Sequence, residues 1–121
     1  DSSNLMEGVR HAVMINRLTY DAAITHLDAL RWATQGSARC LGRSDIGSIA
    51  HGKQADLALF KVDELRFSGA ADPLAALVLC GAHRADRVMI AGEWKVVDGQ
   101  PVGVDVEKLR HEHTAIARKI H

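Results

Sequence analysis

The sequence predicts an α/β chain in which helices flank a small antiparallel sheet, and two observations carry that reading. Apolar residues recur at helical spacings before residue 45 and after residue 104. Between those limits the period shortens to strand-like runs separated by glycine turns. The chain divides accordingly into 1–45, helical; 46–103, a small β-domain with a buried helix inserted in it; and 104–121, a C-terminal helix.

A first helix is expected from Asn4, whose side chain can cap it, with Glu7 at the capping-box spacing; Leu5, Val9, Ala12, Val13 and Asn16 make its stripe. A second is expected after Thr25, with Asp28 as the reciprocal cap. Its Leu27, Leu30, Thr34, Ser37, Ala38 and Leu41 form one face that ends at Gly42. The small residues on that face allow close approach to a neighbour, and the chain supplies no obvious body large enough to be it. From Ile46 the runs 55–60, 87–91 and 93–97 read as strands, the last two joined by a tight hairpin at Ala91-Gly92. Asp98-Gly99 then turns the chain back into an edge strand, Gln100 to Val102, where Pro101 is tolerated because an edge residue need not donate to a ladder. Asp72-Pro73 announces a helix start, and Leu74 to Cys80 is apolar nearly all round, so burial on several sides is expected. The final helix starts near Asp105 and carries Val106, Leu109, His113, Ile116 and Ile120 as the stripe of a packing strap.

Composition narrows the function classes. Lys and Arg together number 15 and so do Asp and Glu, so no net field favours nucleic acid or an anionic membrane. The longest apolar stretch, Pro73 to Cys80, is too short to span a bilayer and follows no secretory pattern, which points to a cytoplasmic protein. Cys40 and Cys80 lie within apolar helical patterns without C-x-x-C spacing and read as buried packing thiols.

The seven histidines invite a metal reading, and His111-Glu112-His113 spells H-x-H. On a strand such a pair points the same way, but on a helix it diverges by about 200°. His111 is therefore expected in solvent and His113 partly buried. His11, His26, His51, His83 and His121 are scattered singly and read as solvated polar residues. Ser48 lies in no G-x-S-x-G turn. Gly47, Gly52 and Lys53 lack the helix and the Ser or Thr that a phosphate-binding loop requires, so the glycines shape a turn, and Lys53 and Asp56 are surface or bracing residues. Trp32 and Trp94 read as core or inter-domain packing. No catalytic, cofactor-binding or metal-ligating residue is assigned to this chain.

The run LRWATQGSARCLGRSDIGSIAHGKQADLALF, Leu30 to Phe60, resembles the closing segment of the metal-dependent amidohydrolases. Ala29, Leu30, Ala33, Thr34, Ala38, Leu41 and Gly42 match the helix A-L-x-x-A-T-x-x-x-A-x-x-L-G that closes their catalytic barrel. Gly47, Ser48, Ile49, Gly52, Lys53, Ala55, Asp56 and Leu57 match the loop G-S-[IL]-x-x-G-K-x-A-D-L that leads into their small β-domain. Asp1-Ser2-Ser3-Asn4-Leu5 and Val9-Arg10 resemble the end of the segment after barrel strand eight. Phe67-Ser68-Gly69, Asp72 to Ala82 and Ala85 to Val88 look most like the 8-oxoguanine deaminase and hydroxytriazine aminohydrolase group of the aminohydrolase branch.

The resemblance implies a C-terminal fragment: the terminal helices of a (β/α)8 barrel, part of a small antiparallel β-sandwich domain, and a C-terminal helix. The family's metal-binding aspartate is then expected just upstream of the chain, with Asp1 itself as the alternative. For the parent, it implies hydrolytic deamination of a purine-like or triazine-like ring, with an 8-oxoguanine-type substrate favoured. Zinc or iron would make the hydroxide nucleophile, held by barrel residues that precede this chain. The implied partners are the remainder of the amidohydrolase chain, a heterocyclic small molecule and a second copy in a homo-oligomer; the isolated fragment is expected to be inactive and to bind no metal. The other reading is a free-standing α+β interaction or scaffold domain without catalysis.

Overall fold

The structure, a computed structural model, describes residues 4–20, 23–82 and 84–120; the expectations for Asp1, His83 and His121, and for the side chain of Ile120, lie outside the described residues. In chain order the elements are α1 (Leu5–Tyr20), α2 (His26–Arg31), a π-helical turn (Trp32–Gly36), α3 (Ser37–Cys40), β1 (Leu57–Leu59), a 3-10 turn (Leu65–Phe67), α4 (Pro73–Leu79), β2 (Arg87–Ile90), β3 (Glu93–Val97), β4 (Gln100–Pro101) and α5 (Val106–Ile120).

The starts of α1, α2 and α4 are set by side-chain caps. Asn4 Oδ1 accepts from the Met6 and Glu7 amides at 3.1 and 3.4 Å. Thr25 and Asp28 complete a capping box: Asp28 Oδ2 accepts from Thr25 N at 2.9 Å, and Thr25 Oγ1 from Asp28 N at 3.3 Å. Asp72 Oδ1 accepts from the Leu74 and Ala75 amides at 2.9 and 3.1 Å, with Pro73 in the first turn, where its missing N–H costs nothing.

Two small cores hang on α4. Val78 packs with Val9, Val13 and Ala29 where α1, α2 and α4 meet, while Ala76 packs with Phe67 and Ala82 against Phe60 and Leu77. That double duty is why α4 is apolar nearly all round. Its cover is incomplete, because Leu74 remains 46% exposed.

The sheet is the expected antiparallel meander, in the order β1-β2-β3-β4. Both hairpins turn through two residues of positive φ: Ala91 (52°) with Gly92 (83°), and Asp98 (50°) with Gly99 (68°). This is the type I′ turn, whose twist matches that of the strands it joins. A register shift between Val88 and Met89 marks a bulge against β3, and Pro101 sits on the outer strand as anticipated.

Several expectations are corrected. The helix expected from residue 25 to 42 is interrupted by the π turn, where Thr34 Oγ1 donates to Leu30 O (2.7 Å) and Ser37 Oγ to Trp32 O (3.4 Å), so hydroxyls compete for helix carbonyls beside Gly36. Its anticipated face is not closed, since Leu27 and Leu41 are exposed. Cys40 and Cys80 are exposed free thiols, because each sits at a helix end while the buried positions fall to Ala38, Ala76 and Val78. Of the two readings for the tryptophans, core or inter-domain packing, the core of this chain is ruled out: Trp32 is exposed, and Trp94 lies under the Arg87 guanidinium, 5.9 Å from the ring centroid. Against the other described residues the C-terminal helix does not pack as a strap, for Val106, Leu109 and Ile116 are all exposed, and His113, expected partly buried, is exposed with them.

Candidate functional site

Several titratable side chains of the described residues hold the fold. In the loop after α3, Arg43 donates Nε and Nη2 to Asp45 at 3.0 and 2.6 Å, and Nη2 also reaches Gln54 Oε1. The bidentate bond keeps the Asp45 carboxyl below its ordinary range and lifts Arg43 above its own. The Asp45 carbonyl accepts Gln54 N–H at 2.8 Å, which closes the loop into the turn expected around Gly47 and Gly52. Asp56 braces the sheet as expected, its Oδ1 accepting the Ala91 amide at 2.8 Å and so pinning β1 to the β2–β3 hairpin.

His26 departs from the solvated role expected of it. Its side chain is 17% exposed and its Nε2 lies 3.1 Å from Asp72 Oδ2, a polar contact without hydrogen-bond geometry. Asp72 thereby caps α4 with one oxygen and faces α2 with the other. Its carboxyl is held below the ordinary range, first by the Ala75 amide and then by Leu74 N–H and His26, against a partial desolvation. No local spacing announced the pairing, because its members are far apart in sequence.

His111 and His113 both stand in solvent on α5. Among the described residues no group of three or more His, Cys, Asp and Glu side chains comes together as a metal centre.

What the described residues do build is an apolar cleft of about 710 Å³. One wall is the face Leu30, Ala33, Thr34, Ser37, Ala38 and Leu41; α1, α4, the 46–49 loop and β1 supply the others. Gly47 seals the loop onto the helix: with φ at 83°, any Cβ there would meet the Ala38 Cβ at 2.8 Å and the Thr34 carbonyl at 3.0 Å. The Thr34 and Ser37 hydroxyls turn back on helix carbonyls, which leaves that wall apolar. Such a surface receives other apolar groups, and it has no polar constellation for chemistry.

Residues 1–95 match the model of the amidohydrolase family. The chain belongs to that family. It is 60% identical over 97% of its length to the 8-oxoguanine deaminase of Pseudomonas aeruginosa, and 32% identical over 77% to an isoxanthopterin deaminase from an unknown prokaryotic organism. It spans 26% and 20% of those two relatives, about a quarter or less of their length. Among solved amidohydrolase-type structures, an adenosine deaminase from Xanthomonas campestris with bound zinc superposes with a TM-score of 0.87 at 30% identity, over 96% of this chain and 27% of that one. The atrazine chlorohydrolase of Arthrobacter aurescens complexed with zinc gives 0.83 at 32% identity, over 91% and 25%. The helices and meander thus have the arrangement found in family members that hold a metal. No helix among the described residues is long and apolar enough to cross a membrane.

Proposed function

We propose that this chain is the C-terminal part of a metal-dependent amidohydrolase that hydrolytically deaminates a purine-like ring, with an 8-oxoguanine-type substrate favoured. The observation that carries the reading is the 60% identity to an 8-oxoguanine deaminase across nearly all of this chain. A triazine-like ring is the second candidate, on the 31% identity to a hydroxydechloroatrazine ethylaminohydrolase of a Pseudomonas species over 99% of the chain.

In this reading the chain contributes framework, and the reacting groups belong to the part of the enzyme outside it. Zinc is favoured over iron because solved relatives carry zinc, and the metal is held by residues other than those described, which gather no ligand set. Arg43, Asp45, Gln54 and Asp56 keep the helix, loop and sheet in fixed relation. A cytoplasmic, homo-oligomeric enzyme is part of the same proposal.

Ammonia release by the full-length enzyme tests it, with 8-oxoguanine, guanine and a hydroxytriazine offered at equal concentration after zinc loading. The expected order places 8-oxoguanine first, by at least about tenfold in kcat/KM, the discrimination that a single pocket contact can supply. Preference for the hydroxytriazine would favour the second candidate, and release from none of the three would overturn the deaminase reading.

A further inference from the structure

The exposed face of α5 has a definite form. Val106, Leu109, His113 and Ile116 follow one another at spacings of three, four and three, and all four are exposed, Leu109 at 56% and Ile116 at 58%. That alternation makes the narrow seam by which one helix packs along another. A helix laid on a sheet or a larger body carries a wider apolar stripe. The positions bordering this seam are Arg110 and Ala117 on one side and Asp105, Glu112 and Lys119 on the other, and four of these five are charged. A broad apolar cover would desolvate those charges without counterions, whereas a second helix can pair them.

The same charges identify the occupant. α5 is acidic at its start, with Asp105 and Glu107, and basic in its last turn, with Arg118 and Lys119. Its ion pairs among the described residues are Arg110 with Glu107 at 2.6 Å and Lys108 with Glu112 at a loose 4.0 Å, so its basic end is not paired within the helix. Two copies of α5 laid antiparallel bring the acidic start of each beside the basic end of the other, with opposed helix dipoles. In the register that seats His113 against Ile116 of the second copy, Glu112 of each copy borders Lys119 of the other. A shift of one heptad, to Leu109 against His113, would bring Glu112 to Glu112 and Arg110 to Arg110. Laid in the same direction, the copies would set His113 against His113 and join their basic ends. A patch complementary to itself about a two-fold axis is the form of a homodimer contact.

We propose that α5 of a second copy packs antiparallel along the seam of Val106, Leu109, His113 and Ile116, with Glu112 of each copy paired to Lys119 of the other. The inference rests on the reading of the enzyme as a homo-oligomer and names the surface that joins two copies.

Light scattering by the full-length enzyme over a dilution series tests it. Leu109→Asp, which places a charge in the seam twice by symmetry, is expected to raise the dissociation constant at least about a hundredfold. Glu112→Lys and Lys119→Glu, both at exposed positions, are each expected to weaken association about tenfold, and the double reversal to recover to within about threefold of the unaltered enzyme. Such recovery requires the two side chains to meet across copies, since seven residues separate them on one helix. An assembly indifferent to Leu109→Asp, a double reversal no better than the single ones, or an unaltered enzyme that is monomeric at every concentration would overturn the inference. Ammonia release measured on the unaltered sample separates the two readings, because an active monomer leaves the deaminase proposal standing and removes the α5 contact.

Discussion

α4 and α5 are both striped with apolar residues, yet one is enclosed and the other stands in solvent. α4 has only seven residues and buries Ala76 and Val78 between two clusters, whereas α5 has fifteen and leaves Leu109 and Ile116 more than half exposed. The shorter helix is held by capping and long-range packing together: Asp72 fixes its start and faces His26 of α2, and α1 and α2 close on Val78. α5 has an N-terminal bond of its own, from Lys108 N–H to Asp105 Oδ1 at 2.9 Å, and surface ion pairs, but no apolar neighbour covers its stripe among the described residues. Periodicity shows that a helix has an apolar face and leaves open what covers it.

The contrast can be broken most severely in α4. Val78→Asp would bury an unpaired charge where three helices meet and is expected to cost more than about 4 kcal/mol in equilibrium denaturation. A cost below about 1 kcal/mol would mean that α4 is no more enclosed than α5. Gly47→Ala comes next. The left-handed backbone and the contact with Ala38 and Thr34 together are expected to cost about 2–3 kcal/mol. A neutral result would show that the loop is not seated on the helix.

Removal of the α4 cap is a smaller change. Asp72→Ala is expected to cost about 1 kcal/mol, and Asp72→Ser to recover most of it, since serine also caps. If Asp72→Ser proves as damaging as Asp72→Ala, the His26 contact outweighs the cap. The same carboxylate predicts a pH dependence. The folded-state pKa values of Asp28, Asp45 and Asp72 are lowered, so their contribution is present above the ordinary carboxylate range, near 4, and is lost as pH falls through the folded values. Denaturation midpoints should therefore fall between about pH 5 and pH 2, less steeply in Asp72→Asn, and an unchanged slope in that variant would deny the carboxylate its role.

The smallest effect is expected in α5, where Leu109→Asp in the isolated chain should change stability by less than about 0.5 kcal/mol. A larger loss in the full-length enzyme than in the isolated chain would show that the stripe is covered there.

Capping and turn chemistry were legible in the sequence because each acts within a few residues. Thr25 with Asp28, Asp72 with Pro73, Ala91-Gly92 and Asp98-Gly99 all stand as their spacing indicated. The family was legible for a different reason: the closing helix and loop have side chains shaped to each other, as Gly47 against Ala38 shows, so their residue types recur in register. The π turn was not legible, because the competition between Thr34, Ser37 and the helix carbonyls gives no change of apolar period.

By itself the sequence determined where elements start, where they turn and which family they belong to, since those properties rest on local hydrogen bonds and residue size. Only the tertiary structure decided that His26 would face Asp72, that both cysteines and both tryptophans would stay outside the core, and that one helix face would be left as an open cleft. Burial is settled by whichever side chains arrive from elsewhere in the chain, and a residue's own neighbours in sequence carry no record of them.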